Sequence, residues 1–261
     1  MEAGVALLYE VSDHIATITI NRPDALNSID LETWHELSEA CAKLEADDDV
    51  WVGIITGAGG RSFSAGADLK ETIPTLIDDP RGNRYDEPDT IMRGQTVTKP
   101  LIAAVNGLAL GGGLEIVLAC DLRIAAEGAR LGAPEITLGF IPGWGATQRL
   151  ARELPWAIAA GIVFSGDQIG AETAHQYGLV NEVVPADRLQ AAARQLAETL
   201  CSRGPLALRA AKRAMREGLD MSLDDGLQLE HDLFDDLAYT EDAKEGVAAF
   251  QERRAATFKG R

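Results

Sequence analysis

Histidine and cysteine are scarce in this chain: 261 residues hold four of the first and three of the second. Cys41, Cys120 and Cys201 are odd in number and far apart, which argues against a disulfide framework. No C-x-x-C pair and no paired-histidine motif suggests a metal or redox centre, so the thiols are expected to be free and buried. Long apolar runs are missing as well; none approaches the roughly 20 residues that cross a bilayer. The opening "MEAGVALLYEV" has no basic region ahead of its apolar residues, so no secretory signal is expected and cytoplasmic residence is. Basic residues are outnumbered, 24 Lys and Arg against 41 Asp and Glu, giving a formal net charge of −17. That balance excludes nucleic-acid binding as the main function, because a phosphate backbone demands a basic footprint. A small polyphosphate-bearing molecule needs only a few local cations and stays possible. Much of the acidic excess sits in residues 222–245, with nine acids and one Lys, read as a solvated helix face.

What is present is an alternation of strand and helix patterns. "HIATITI" (14–20) alternates, with Ala16, Ile18 and Ile20 on one face, and predicts a strand. Asp30 is placed to cap a helix over "LETWHELSEACAKLEAD", where Leu31, Trp34, Leu37, Cys41 and Leu44 keep helical spacing. "VWVGIITG" (50–57) is nearly all apolar, as in a strand buried on both faces. "KPLIAAVNG" repeats the strand-then-glycine design, and "LRIAAEGARLGAPE" adds further strand and turn. A polar loop is expected over 74–93, and a loop of that length in a compact domain is usually functional, as a lid or a specificity element, simple disorder being the alternative. Successive amphipathic helices follow from about Asp187. Residues 1–190 therefore read as an α/β core and residues 191–261 as a helical tail.

Two glycine-rich points follow strands: Gly66-Ala67 and Gly111-Gly112-Gly113. A strand leading through glycine into a helix exposes backbone N–H groups that attract negative charge. Two such donors converging on one oxygen would form an oxyanion hole; the alternative is a pair of tight turns. Nucleotide motifs do not fit, since G-x-G-x-x-G lacks its third glycine here and no G-K-[ST] follows. Glu115 stands among Leu114, Ile116, Val117 and Leu118, on a helix with no other polar residue to make a wet face. Glu135 is a second isolated acid, in "LGAPEITLGFIPG". Desolvated carboxylates have raised pKa values suited to proton transfer near neutrality.

These segments resemble the enoyl-CoA hydratase/isomerase (crotonase) superfamily over nearly the whole chain. The resemblance is carried by "NRPDALNS" (21–28), "FSAGADLKE" (63–71), "KPLIAAVNGLALGGGLEIVLACDLRIAAE" (99–127), "LGAPEITLGFIPGWGATQRL" (131–150) and "GLVNEVVP" (178–185). It implies a crotonase-like α/β spiral of ββα units with a C-terminal helical trimerisation region, assembled as a trimer or a dimer of trimers. It implies an oxyanion hole from the N–H groups of Ala67 and Gly112, gripping the thioester oxygen of an acyl-CoA. Having both glutamates favours reversible hydration of a trans-2-enoyl-CoA to a 3-hydroxyacyl-CoA, in fatty acid or related acyl-CoA metabolism. Glu115 would deprotonate the water, Glu135 would protonate C2, and the Gly143 N–H would help hold the water. Coenzyme A contacts are implied for Ala65, Ala67, Asp68, Lys70, Phe234, Phe250 and Arg253, the C-terminal ones reaching CoA from a neighbouring subunit. Packing in the tail competes for Phe234 and Phe250, and plain solvation for Lys70 and Arg253. No cofactor beyond the substrate's own coenzyme A, no nucleic acid and no membrane partner is expected.

Trp144 and Ala146 depart from the family's hydratases, which more often have small residues and glycine there. Trp144 either narrows the acyl pocket or turns into the core. Other readings are a different reaction of the superfamily, such as dehydration of a substituted hydroxyacyl-CoA or double-bond isomerisation, and a non-catalytic CoA-binding scaffold. A Ser-His-Asp hydrolase is disfavoured because no G-x-S-x-G elbow occurs.

Overall fold

A computed structural model describes residues 5–78 and 88–261. Its first strands form a hairpin: β1 (Leu7–Ser12) runs antiparallel to β2 (Ile15–Ile20), with Leu7 opposite Ile20. Asp13 and His14 turn the chain with φ values of 50° and 65°, the positive pair that matches strand twist in a two-residue hairpin loop. From β2 the sheet continues in parallel through β3 (Val52–Gly57), β5 (Leu101–Val105), β7 (Leu122–Ala126) and β10 (Glu182–Val184). Every residue of β3 is buried, because layers cover both faces of this sheet. Ile18, Ile20 and Ile55 join Leu37, Cys41 and Leu44 of α1 (Leu31–Ala46) on one side. Val52, Ile54 and Ile102 meet Leu189, Ala193 and Ala197 of α7 (Leu189–Cys201) on the other.

Asp30 caps α1 as the sequence implied, its Oδ1 accepting the Thr33 N–H at 2.8 Å. Leu31 departs from its helical pattern and is exposed; it lines the cavity described below. The predicted loop is corrected at its start, where α2 (Thr72–Asp78) is helical, and at its end, where Thr90 and Arg93 close a turn through reciprocal backbone bonds. Residues 79–87 of that expected loop lie outside the described residues.

Among the described residues a second sheet holds β4 (Ser62–Ser64), β6 (Leu108–Leu110), β8 (Arg130–Gly132) and β9 (Ile169–Gly170). β4, β6 and β8 run parallel, so their C-terminal ends emerge side by side at one edge. Ligands in α/β folds bind at that kind of edge. Beyond β6 runs α3 (Gly112–Ala119), and beyond β8 a 3-10 helix (Pro134–Leu138). Helices α4 (Ala146–Glu153), α5 (Trp156–Ser165) and α6 (Ala171–Gln176) follow.

The helical tail is α8 (Pro205–Gly218), α9 (Leu223–Ala238) and α10 (Glu241–Glu252). By its packing α7 is a layer of the core sheet, and position 190 falls inside its first turn. The acidic α9 is more than a solvated face. It has no buried residue and exposes Leu223, Leu227 and Phe234 together with its carboxylates. Cys41 and Cys120 are buried, and burial pushes both thiols up to about 12; Cys201 is only half-buried. No helix among the described residues is long and apolar enough to cross a membrane.

Candidate active site

Three turns leave the parallel edge formed by β4, β6 and β8, and they meet. The turn after β4 carries Ala65, Gly66 and Ala67; that after β6 carries Gly111 and Gly112; that after β8 leads to Glu135. Gly66 and Gly111 have φ values of 88° and 53°, in the left-handed region where a side chain is strained. A Cβ on Gly66 would stand 2.6 Å from Leu110 O and 2.9 Å from Gly112 N, so the two backbones approach as closely as glycine permits. Gly113 is fixed in the same way, since a Cβ there would overlap Ser64 O.

The result is a pair of adjacent free donors. Gly112 opens α3, so its N–H has no carbonyl one turn earlier to bond. Ala67 N makes no backbone bond among the described residues, although its neighbours are engaged: Ile29 N donates to Gly66 O, and Asp68 N to Ile29 O. Ala67 and Gly112 both line a cavity of about 740 Å³.

Glu115 lies one turn into α3 and is 1 % exposed. Its Oε1 accepts the N–H of Trp144 at 2.7 Å and of Ala146 at 3.0 Å. These are the last loop residue but one before α4 and its first residue, so the carboxylate sits at a helix N-terminus, where negative charge is favoured. Burial nonetheless dominates and pushes the acid up to about 7, the two N–H donors and Arg149 pulling against it and Glu135 adding to it. Arg149 also pins the Trp144 turn, donating from Nη1 to Trp144 O at 3.1 Å.

Glu135 is raised above the ordinary carboxylate range by its burial. Its Oε2 is buried and finds no partner among the described residues. Its Oε1 faces Gly111 closely enough that a Cβ there would be 3.0 Å away. The two acids line the same cavity and are close enough for Glu135 to act on the charge of Glu115. One cavity wall holds donors for an oxygen anion, and two desolvated carboxylates stand beside it.

Both carboxylates, both donors and Ala65 line the cavity, and so does Gly143. The N–H groups that reach Glu115 belong to Trp144 and Ala146, however, a feature their side-chain identities do not signal. Trp144 is in the cavity wall, half-buried and packed against the core behind it. Its ring covers Gly112, where a Cβ would overlap it, and packs tilted against Trp34 with centroids 4.7 Å apart.

Asp68 is engaged within the chain. Its Oδ2 accepts from Ser28 Oγ at 2.9 Å and Arg22 Nη1 at 3.2 Å, and its Oδ1 from Lys70 N at 2.9 Å. Burial works to raise this acid, but those donors hold it below the ordinary range. Asp68 therefore braces the turn that carries Ala67 and is absent from the cavity lining. Lys70 is exposed and does not line the cavity either. Phe234 and Phe250 are 69 % and 85 % exposed on α9 and α10, and Arg253 caps α10. None of these three touches the cavity of its own chain.

The arrangement has relatives. The family model described as enoyl-CoA hydratase/isomerase matches residues 10–261. The chain is 43 % identical to (E)-benzylidenesuccinyl-CoA hydratase of Thauera aromatica, over 96 % of this chain and 98 % of that one. It is 39 % identical to short-chain-enoyl-CoA hydratase of Clostridium acetobutylicum, over 95 % of each. The crystal structure of enoyl-CoA hydratase from Bacillus anthracis superimposes with a TM-score of 0.91 at 39 % identity, covering 98 % of this chain and all of that one. With two converging backbone donors, two dry carboxylates and a match along almost its full length, the chain belongs to the enoyl-CoA hydratase/isomerase family.

Proposed function

We propose that this protein is an enoyl-CoA hydratase, adding water reversibly across the double bond of a trans-2-enoyl-CoA. The observation that carries this reading is that Glu115 and Glu135, both raised by burial, line the same cavity as the Ala67–Gly112 donor pair. The thioester oxygen sits between those two N–H groups, which hold the charge that develops as C3 is attacked. Such fixed donors, already oriented in a dry site, are worth about 10²–10³ in rate apiece. Glu115 takes a proton from water as its oxygen bonds to C3, and Glu135 gives its proton to C2. Water is thereby added in full, and the pair resets when the proton on Glu115 returns to Glu135. Every step uses side chains or backbone of this chain, and we propose no cofactor. Gly143 offers its N–H at the cavity wall for the attacking water.

The reaction is checked by mixing the protein with crotonyl-CoA in a chelating buffer and following the conjugated thioester absorbance. Loss of absorbance with product verified as 3-hydroxybutyryl-CoA is expected. No loss with enoyl-CoAs of any length sinks the hydratase reading, and loss only after adding a metal sinks the cofactor-free one.

Coenzyme A is proposed to lie along Ala65 and Ala67, with Lys70 near its phosphates. Phe234, Phe250 and Arg253 reach it only from another copy of the chain. Met215, Leu219, Leu223, Phe234, Tyr239 and Phe250 are all exposed on the helical tail, a larger apolar surface than single soluble subunits usually leave bare. We propose that this surface is covered in a trimer or a dimer of trimers. Light scattering is expected to give three or six chain masses; a monomer at micromolar concentration overturns the assembly and the contacts assigned across it.

A further inference from the structure

We infer that Arg93 is a carboxylate-reading residue, and that the acyl groups this cavity prefers end in a second carboxylate. The inference rests on the hydratase reading in one respect: the thioester enters at the Ala67–Gly112 corner.

From that corner the cavity wall can be followed outward. Trp144 covers Gly112 and packs on Trp34. Trp34 Nε1 donates to Pro88 O at 2.9 Å, and Arg149 reaches from the Trp144 turn to Met92 O at 2.9 Å. The segment Pro88–Arg93 is therefore the stretch of wall next to the two tryptophans. Pro88, Asp89 and Arg93 line the cavity there. Lys70, assigned to coenzyme A, does not, so the charge at this end has a different target.

Arg93 is held on a rigid support. Thr90 and Arg93 exchange backbone bonds of 2.9 and 2.8 Å, and Gln95 N also donates to Thr90 O, at 3.1 Å. Ser38 Oγ, on α1, ties the turn down by donating to Asp89 O at 2.7 Å. Gly94 follows at a φ of 86°, with the Asp89 carboxylate packed over its Cα. The support is fixed from both α1 and α4, while the guanidinium has no hydrogen bond or ion pair among the described residues.

The charges around it leave that guanidinium available. Asp30, the other acid in this part of the lining, is already paired with Arg22 at 2.7 Å. Asp89 lies against Gly94 and forms no ion pair with Arg93. In a chain of net charge −17, an exposed and unpaired arginine in a cavity whose other charged lining residues are the acids Asp30, Asp89, Glu115 and Glu135 is a selective element. A guanidinium offers two parallel N–H donors to a carboxylate and nothing comparable to a methyl group.

The test uses binding as well as turnover, so that the two readings separate. Adipyl-CoA and hexanoyl-CoA have equal chain length and no double bond, and differ only in the terminal carboxylate. Calorimetry on the wild-type protein is expected to show adipyl-CoA binding more tightly. In Arg93→Gln that preference is expected to fall roughly five- to fifty-fold, and Arg93→Lys to keep part of it. Hexanoyl-CoA binding tighter than adipyl-CoA in wild type means Asp89 governs this end and overturns the proposal. Equal weakening of both ligands in Arg93→Gln overturns it too, and assigns the arginine to coenzyme A phosphates. Turnover of the matching trans-2-enoyl-CoAs tests hydration separately. Its absence overturns the hydratase reading, while the binding preference still decides the role of Arg93.

Discussion

Replacing Glu115 with Gln is expected to lower kcat for crotonyl-CoA hydration by about 10²–10⁴-fold, the range lost when a positioned general base is removed. The substitution keeps the shape of the side chain, and its amide oxygen can still accept the N–H groups of Trp144 and Ala146. Folding should therefore survive, and a saturated acyl-CoA should bind with little change, because the Ala67 and Gly112 donors are backbone. The loss belongs to kcat. Near-wild-type turnover in this variant, with the fold verified by circular dichroism, removes Glu115 from the chemistry. A matching rise in KM with kcat intact assigns it to substrate binding instead.

Glu135→Gln is expected to cost a similar factor, about 10²–10⁴, and to change the pH profile as well. The working state of the pair holds one proton. Two N–H donors on Glu115 favour its anion, and the unpartnered Oε2 of Glu135 favours a proton there. Activity of the wild-type enzyme should rise as the pair loses its first proton and fall as it loses the second, and both midpoints belong to the pair. In the working state Glu135 keeps its proton and has no charge, so Glu135→Gln leaves the field at Glu115 much as it was, and the acidic limb of the residual activity should stay near its wild-type position. The alkaline limb, which reports loss of the Glu135 proton, should be absent. An alkaline limb that persists in this variant shows that Glu135 is not the proton donor.

The sequence was legible where a pattern was long or a residue was out of place. β3 announced itself through six consecutive residues fit for a sheet buried on both faces, and α1 through its cap and apolar stripe. Glu115 stood out because α3 offered no wet face on which a carboxylate would be unremarkable. The second sheet was not legible, since three-residue strands are too short to show an alternation. Yet its parallel edge is what brings Ala67, Gly112 and Glu135 together, so the geometry of the site was out of reach of pattern reading. β1 escaped for another reason: four of its six residues are exposed, Leu8 and Val11 among them, so no clean alternation marks it. The Glu115 donors were hidden because a backbone N–H has no residue type. The bracing role of Asp68 was hidden because a family motif includes residues that hold a turn as well as those that touch a ligand.

The proposed thioester grip is made of peptide groups alone, one from each of two paired strands' turns. A change at Ala67 itself to any residue but proline leaves its N–H in place, although the glycines around it must stay free of side chains. The proton-handling part is written in side chains and is open to change at Glu115 and Glu135 independently. A lineage built on this frame can alter its chemistry without first losing the ability to activate its substrate. New reactions are then reached by substitution at two positions rather than by rebuilding a pocket.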